Sequence, residues 1–368
     1  MEQERLETLV SSSRARYEYD FLVFIGRFQP FHLGHKNIID QALKKARHVI
    51  ILIGSSKIAR TIRNPFFWEE RAEMICGGYN ADEQSRIHCT PLLDLPYAEQ
   101  SWIRNVQLSV QGIVCQYQMT GETRIGLIGH AKDHSSYYLK MFPQWGNVDV
   151  QKEVQINATD VRDKYLRMNA ASPEAVISAF SDFPIPEQTI KILCNFMGSE
   201  DYGNLVNERQ VTDQYKEAWK NTPYPPTFVT VDSVVVQSGH ILLIKRRAAP
   251  GKGLWALPGG FLDPFENLED AAIRELREET KIAVPDPVLR GSIKNREVFD
   301  DPYRSQRGRT ITTAFLMELR NDEKGLPRIK GSSDAAKAQW IPIADLESDM
   351  LFEDHFHVIQ SLLGATFS

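Results

Sequence analysis

Cysteine is scarce in this 368-residue chain: there are four, at positions 76, 89, 115 and 194, with no CxxC pair among them. That scatter excludes a zinc framework or a disulfide-stapled scaffold and reads as reduced thiols. Long apolar runs are missing too, and none approaches the ~18 residues that a membrane span needs. Nor is there an excess of positive charge. Forty-three Lys and Arg against 48 Asp and Glu leave a net charge of −5, so no broad electrostatic grip on DNA or RNA is expected. Any anionic ligand must be held by local basic clusters. Repeats and low-complexity tracts are absent. Residues 1–19 form a polar, acidic lead unlike a signal peptide, which makes the cytoplasm the expected location. Neither nucleic acid nor a membrane is an expected partner; a homo-oligomer stays open.

What is present fills two domains, because 368 residues exceed one ordinary core. FLVFIG (21–26), HVIILIG (48–54), RIHCTPLLDL (86–95) and RIGLIGH (124–130) read as buried strands. Helical spacing lies between them, at 35–47, 66–77 and 101–114. Strands alternating with helices predict an α/β domain over 20–185, with a doubly wound parallel sheet. Ligands of such sheets sit at the carboxyl ends of the strands, where Gly26, Gly54 and Gly129 fall. Residues 186–226 read as a helical linker ending in the proline-rich NTPYPPT. From 227 to 368, two β-rich runs joined by a Ser-Gly turn, a helix at about 266–281 and further strands predict an α+β domain with a mixed sheet.

The helix at 266–281 carries the densest chemistry. In GGFLDPFENLEDAAIRELREETKI (259–282), Glu275, Glu278 and Glu279 stand at i, i+3 and i+4 on one face. Three carboxylates so placed repel one another, and a hard divalent cation such as Mg²⁺ or Mn²⁺ removes the repulsion. An acidic, solvated helix face is the plain alternative. The whole string resembles the Nudix box, matching at Gly260, Glu266, Arg274, Glu275, Leu276, Glu278, Glu279 and Ile282. Only Lys281 departs, where that family has Gly. The resemblance implies a metal-dependent pyrophosphatase in which Glu275, Glu278, Glu279 and the Gly260 carbonyl bind metal and the metal activates water.

Substrate choice lies outside the box. FDDPYRSQRGRTIT (299–312) gathers Arg304, Arg307 and Arg309, and arginine suits bidentate phosphate recognition. The segment resembles one in ADP-ribose-directed Nudix proteins, which makes ADP-ribose the expected substrate. Trp255, Trp340 and Phe299 are candidates to stack on a base, or simply core.

A second constellation, GRFQPFHLGH (26–35), follows the first strand and opens a helix. His32 and His35 face a helix N-terminus, where phosphate is favoured. Gly34 lets the backbone approach a ligand, and Gly26, Arg27 and Phe28 join as candidate contacts. The segment resembles the HxGH signature of the nucleotidyltransferase superfamily, which implies that both histidines contact nucleotide phosphates. INATDVR (156–162) resembles that superfamily's ISxTxxR element, with Thr159 and Arg162 matching and Asn157 in place of Ser. The resemblance makes Arg162 a triphosphate ligand. GSSKIARTIRNPFFWEER (54–71) and GHAKDHSSYYLKMFPQW (129–145) resemble nicotinamide mononucleotide adenylyltransferases of the type fused to a Nudix domain.

That family implies ATP and nicotinamide mononucleotide (NMN) as substrates and NAD and pyrophosphate as products. Lys57, Arg63, Asp94, Gly129, Lys132 and Asp133 become candidate polar contacts, and Trp102 a candidate stacking partner for nicotinamide, or a helix-packing residue. The alternative is another acceptor, such as phosphopantetheine, with the Nudix domain acting as a nucleotide sensor.

Overall fold

The computed structural model describes residues 17–117, 122–129, 138–150, 154–168, 172–321, 325–331 and 335–364. The chain divides into two compact units, Met1–Lys57 with Arg63–Gly203, and Ile58–Ile62 with Asn204–Ser368. The strands are β1 (Tyr19–Gly26), β2 (Ala46–Ile53), β3 (Ile87–Pro91), β4 (Ile125–Gly129), β5 (Gly146–Asp149), β6 (Thr227–Gln237), β7 (His240–Arg246), β8 (Trp255–Ala256), β9 (Gly259–Phe261), β10 (Ile293–Phe299), β11 (Arg309–Glu318) and β12 (Ala335–Pro342). The helices are α1 (Leu33–Lys45), α2 (Trp68–Cys76), α3 (Ala81–Gln84), α4 (Glu99–Val114), α5 (Ala158–Arg167), α6 (Pro173–Ala179), α7 (Glu187–Met197), α8 (Glu200–Ala218), α9 (Leu268–Thr280), α10 (Asp286–Gly291) and α11 (His355–Leu363).

In the first unit, the apolar runs become an all-parallel sheet of order β3-β2-β1-β4-β5. Strands apolar on both faces need cover on both faces, and the helices supply it. Phe21, Val23 and Ile25 of β1 share a core with Ile50, Leu52 and the α4 residues Val106, Val110 and Ile113. Each such buried side chain stabilises by roughly 1.5–3 kcal/mol. Winding reverses between β1 and β4, so the crevice of a doubly wound sheet opens at the carboxyl ends of these strands, beside Gly26 and Gly129. The short β5 was not expected, because GNVD has no apolar run to announce it.

In the second unit the sheet runs β10-β11-β6-β7-β12, with β8 on β7 and β9 on β6. It is mixed: β11 and β6 are parallel, whereas β6–β7, β7–β12 and β10–β11 are antiparallel. Ser238 and Gly239, both at positive φ (49° and 72°), close the β6–β7 hairpin as a Ser-Gly turn should. Helix α9 buries Ala271, Ala272, Ile273 and Leu276 against Val231, Val235, Leu242, Phe315 and Met317. Its glutamates occupy the remaining face.

Candidate functional site

In the first unit, His32 is the N-cap of α1, and its Nδ1 accepts from the His35 backbone N–H at 3.3 Å. The two imidazoles stack with centroids 3.6 Å apart and planes at 14°. A Cβ on Gly34 would lie 3.1 Å from the His32 ring. Gly34 therefore makes room for that ring, which differs from the ligand approach expected of it. Phe28 also departs from expectation. It is 1% exposed and meets His35 edge-on with centroids 5.0 Å apart, so it supports the histidine from inside the core.

Arg162, in the first turns of α5, is buried. Its Nη1 donates to the Gln29 carbonyl at 2.5 Å and its Nη2 to Thr159 Oγ1 at 3.0 Å. Burial first, and then the charges of Arg27 and Arg63, push its pKa down to about 10. Arg27 and Arg63 thus lie near enough to Arg162 for their charges to act on it. Asn157, the residue before α5, directs its amide to Asp160 Oδ2 at 3.4 Å.

Two residues that the motifs did not single out anchor this loop. Gln29 exchanges both amide hydrogen bonds with Phe66, at 2.8 and 3.0 Å. Arg71 of α2, fully buried, donates to the carbonyls of Arg27 and Gly54 (2.6 Å each), Ser55 (3.1 Å) and Phe67 (3.2 Å). Its guanidinium fork clamps the strand-end loops after β1 and β2 together. No spacing rule signals such a residue; only its place in the segment 54–71 does.

Asp94 accepts from the Ser55 backbone N–H at 3.0 Å and from Ser55 Oγ at 2.5 Å, so its carboxylate holds the loop after β2. Lys57 is exposed at φ 54° on that loop. Trp102 packs on the core, its ring 6.3 Å from that of Phe142. Gly129 ends β4, and its carbonyl accepts from Val150 at 3.0 Å. Lys132 and Asp133 lie outside the described residues.

In the second unit, β9 brings Gly259 and Gly260 against α9. The Gly259 N–H donates to Glu279 Oε2 at 2.9 Å. A Cβ on Gly260 would lie 2.4 Å from Glu275 Oε1, so only glycine lets that carboxylate rest on the strand. Burial first, then the neighbouring Glu275 charge, pushes Glu279 up to about 8. Burial also raises Glu275, against the pull of Arg274.

Arg274 organises the ridge. It donates to both Glu266 oxygens (2.6 and 3.0 Å), to Glu275 (2.8 Å) and to the Phe261 carbonyl (3.2 Å), and lies 3.5 Å from Glu278. Glu278 is 59% exposed. The three glutamates are therefore not alike: two rest on β9 and one faces solvent. Among the described residues, no three His, Cys, Asp or Glu side chains already converge at metal-binding spacing. The donor chemistry nevertheless fits a hard divalent cation, because half-buried carboxylates that resist ionisation are stabilised by one. Lys281, the position departing from the box, is the left-handed C-cap of α9 at φ 46°.

The three arginines of 299–312 have separate fates. Arg304 is 3% exposed and grips Asp354 with two hydrogen bonds of 2.9 Å. This corrects the expectation of a substrate-facing side chain, because its fork is committed to the fold. Arg307 lies over the Phe261 ring at 5.3 Å and 4.0 Å from Glu353. Arg309 donates to the Asp300 carbonyl and sits 3.6 Å from the Asp300 carboxylate. Of the proposed stacking residues, Phe299 is buried, and Trp340 packs in the core with its Nε1 on the Pro327 carbonyl. Trp255 carries Lys245 over its ring at 5.7 Å.

The second unit has its own unannounced interior. Asp232, beside Gly259 on β6, accepts from Thr312 Oγ1 at 2.6 Å. His355 Nδ1 accepts from the Leu257 N–H at 2.9 Å, and burial lowers its pKa to about 3, so the ring is neutral.

The arginine and histidine cradle on a doubly wound sheet defines a nucleotidyltransferase-type domain, and the α9–β9 glutamate ridge on a mixed sheet defines a Nudix domain. Residues 23–84 match the cytidylyltransferase-like family and residues 226–362 the NUDIX domain family. A nicotinamide/nicotinic acid mononucleotide adenylyltransferase of Acinetobacter baylyi is 40% identical over 198 residues, which is 54% of this chain and 97% of that protein. An ADP-ribose pyrophosphatase of Methanocaldococcus jannaschii is 33% identical over 135 residues, 37% of this chain and 72% of that one. A crystal structure from Francisella tularensis, a bifunctional NMN adenylyltransferase/ADP-ribose pyrophosphatase complexed with AMP and a manganese ion, superposes with a TM-score of 0.83 at 36% identity. It covers 94% of this chain, and the match takes in 99% of that structure's chain. The chain belongs to the family of bifunctional NMN adenylyltransferase/ADP-ribose pyrophosphatases.

Proposed function

We propose that the first unit joins NMN to the adenylyl group of ATP, giving NAD and pyrophosphate, and that the second hydrolyses ADP-ribose to AMP and ribose 5-phosphate. One observation carries the reading: a single chain holds a cationic cradle at a sheet switch point and a ridge of half-buried carboxylates on a Nudix helix.

In the first reaction, an NMN phosphate oxygen attacks the α-phosphorus of ATP, and the bond to the β-phosphate breaks. No covalent enzyme intermediate is needed; alignment and charge neutralisation suffice. Arg162, held by Gln29 and Thr159, faces the phosphates with Arg27 and Arg63. His32 and His35 hydrogen-bond phosphate oxygens at the start of α1, where free N–H groups also favour anions.

In the second unit, Glu275, Glu278, Glu279 and the Gly260 carbonyl would hold Mg²⁺ or Mn²⁺, which when bound offsets the charge of the diphosphate and lowers the pKa of water. Arg274 fixes the rotamers of Glu266 and Glu275. Arg307, over Phe261, is the best placed of the three loop arginines to meet substrate. These nucleotides and the free thiols suit the cytoplasm.

The test supplies ATP with NMN or with phosphopantetheine, and separately ADP-ribose with Mg²⁺ or Mn²⁺. NAD from NMN alone, and AMP from ADP-ribose, are expected. Transfer to phosphopantetheine, or binding of ADP-ribose without cleavage, would favour the acceptor-and-sensor alternative.

A further inference from the structure

The four cysteines read from the sequence as scattered, yet the fold brings two of them together. Cys76 ends α2 and Cys89 lies on β3, and their sulfurs are 3.9 Å apart. Both side chains are partly buried. Cys115 and Cys194 have no such neighbour: Cys115 accepts from the Gln111 amide, and Cys194 reaches the Pro173 carbonyl. We propose that Cys76 and Cys89 form a peroxide-reactive dithiol that closes to an intramolecular disulfide.

The contact between the two sulfurs, with Cys76 at the end of its helix and Cys89 within a strand, gives the order of events. Either sulfur can donate to the other, and that contact draws the Cys76 thiol down to about 7 while holding Cys89 well above the usual thiol range. Cys76 is therefore the thiol that ionises more readily of the two, and so the nucleophile. Its sulfur attacks one oxygen of hydrogen peroxide; the O–O bond breaks, and the departing hydroxide takes a proton to become water. Cys76 is then a sulfenic acid, oxidised by two electrons. The negative charge that held the Cys89 proton is gone. The Cys89 sulfur attacks the Cys76 sulfur, the S–O bond breaks, and the hydroxide leaves with the Cys89 proton as a second water.

Closure requires the sulfurs to approach from 3.9 Å to the ~2.05 Å of a disulfide. Cys76 is the last residue of its helix and is followed by Gly77 and Gly78, the residue type with the least hindered backbone. Two glycines in succession can absorb the change of backbone angle that closure asks of Cys76. The new bond would tie α2, the helix of Arg71, to the sheet at its far end.

The full-length chain would be treated with hydrogen peroxide, alkylated, digested and mapped by mass spectrometry. The expected product is a Cys76–Cys89 linked peptide that dithiothreitol reverses, with Cys115 and Cys194 still alkylated. In Cys89→Ser, Cys76 should accumulate as a sulfenic acid that dimedone traps. Either of two results would overturn the proposal: oxidation of Cys115 or Cys194 ahead of Cys76, or conversion of Cys76 to sulfinic acid while Cys89 remains alkylatable.

Discussion

The two sites are electrostatic opposites built by the same means. In the first unit, burial and neighbouring Arg27 and Arg63 push Arg162 down to about 10. In the second, burial and neighbouring Glu275 push Glu279 up to about 8. Each group is driven toward its neutral form by desolvation and by like charge. A ligand of opposite sign would offset that penalty, phosphate at the arginines and a divalent cation at the glutamates.

The largest expected effects separate the two halves of that comparison. Glu279→Gln should lower ADP-ribose hydrolysis by on the order of 10³-fold and leave NAD formation unchanged. Arg162→Ala should lower NAD formation by roughly 10²–10³-fold and leave hydrolysis unchanged. Steady-state assays of both reactions on each variant decide it. Loss of both activities in either variant would mean that the substitution acts through folding, and the charge pairing would lose its support.

A buried pair within the second unit shows what happens when the chain supplies its own counter-charge. Arg304 and Asp354 are 3% and 8% exposed and doubly hydrogen-bonded. Asp354→Ala strands a buried guanidinium and should cost ~3–5 kcal/mol of stability, read by urea denaturation. The substitution Arg304→Met, with Asp354→Leu on the same chain, should recover only part of that loss, because the paired charges leave together but Asp232 and Glu353 lose the Arg304 charge they also face. A fully additive double variant would place the cost elsewhere.

Glu208 of α8 sharpens the comparison further, since it is a raised carboxylate that belongs to no ligand set. Burial first, then Glu353, pushes it up to about 7 from 4.5, against the Gly251 N–H and Arg246. The folded state therefore holds the proton more tightly than the unfolded chain. Its contribution to stability is fully present below 4.5 and is lost as pH rises through about 7. Glu208→Gln keeps an acceptor for Gly251 and removes the titration. It should be more stable than the wild-type chain by ~1–3 kcal/mol at about pH 8 and equal to it at about pH 4. Denaturation midpoints at the two pH values measure this, and an equal shift at both would sink the assignment to Glu208.

Much of the fold was legible because its signals are periodic. Runs such as VIILI in β2 have no face for water, and α9 has an apolar stripe opposite its glutamates. The site motifs were legible for a similar reason, since His32, His35, Glu275, Glu278 and Glu279 are fixed by short helical spacing. What stayed hidden depends on three-dimensional burial. Arg71 and Arg304 are charged residues that the chain encloses, and nothing local distinguishes them from Arg307 or Arg309. Phe299 and Trp340 look like stacking platforms until the sheet covers them. The Cys76–Cys89 pair needs α2 laid on β3 before its thirteen-residue separation means anything.

The smallest expected effect concerns the one residue at which the box is broken. Lys281 caps α9 in the left-handed conformation, φ 46° and ψ 35°, with its N–H on the Arg277 carbonyl at 2.9 Å. A side chain there costs ~1–2 kcal/mol, which glycine avoids, although glycine adds freedom to the unfolded chain. Lys281→Gly should therefore gain a net ~0.5–1 kcal/mol, and Lys281→Ala, equally strained, should gain nothing. Hydrolysis should stay unchanged in both, because the positions of Glu275 and Glu279 are set by the packing of α9 on β9 and not by its last turn. Urea denaturation of the three chains orders them. A glycine variant less stable than the lysine would show that the Lys281 side chain contributes an interaction worth more than the backbone strain it imposes.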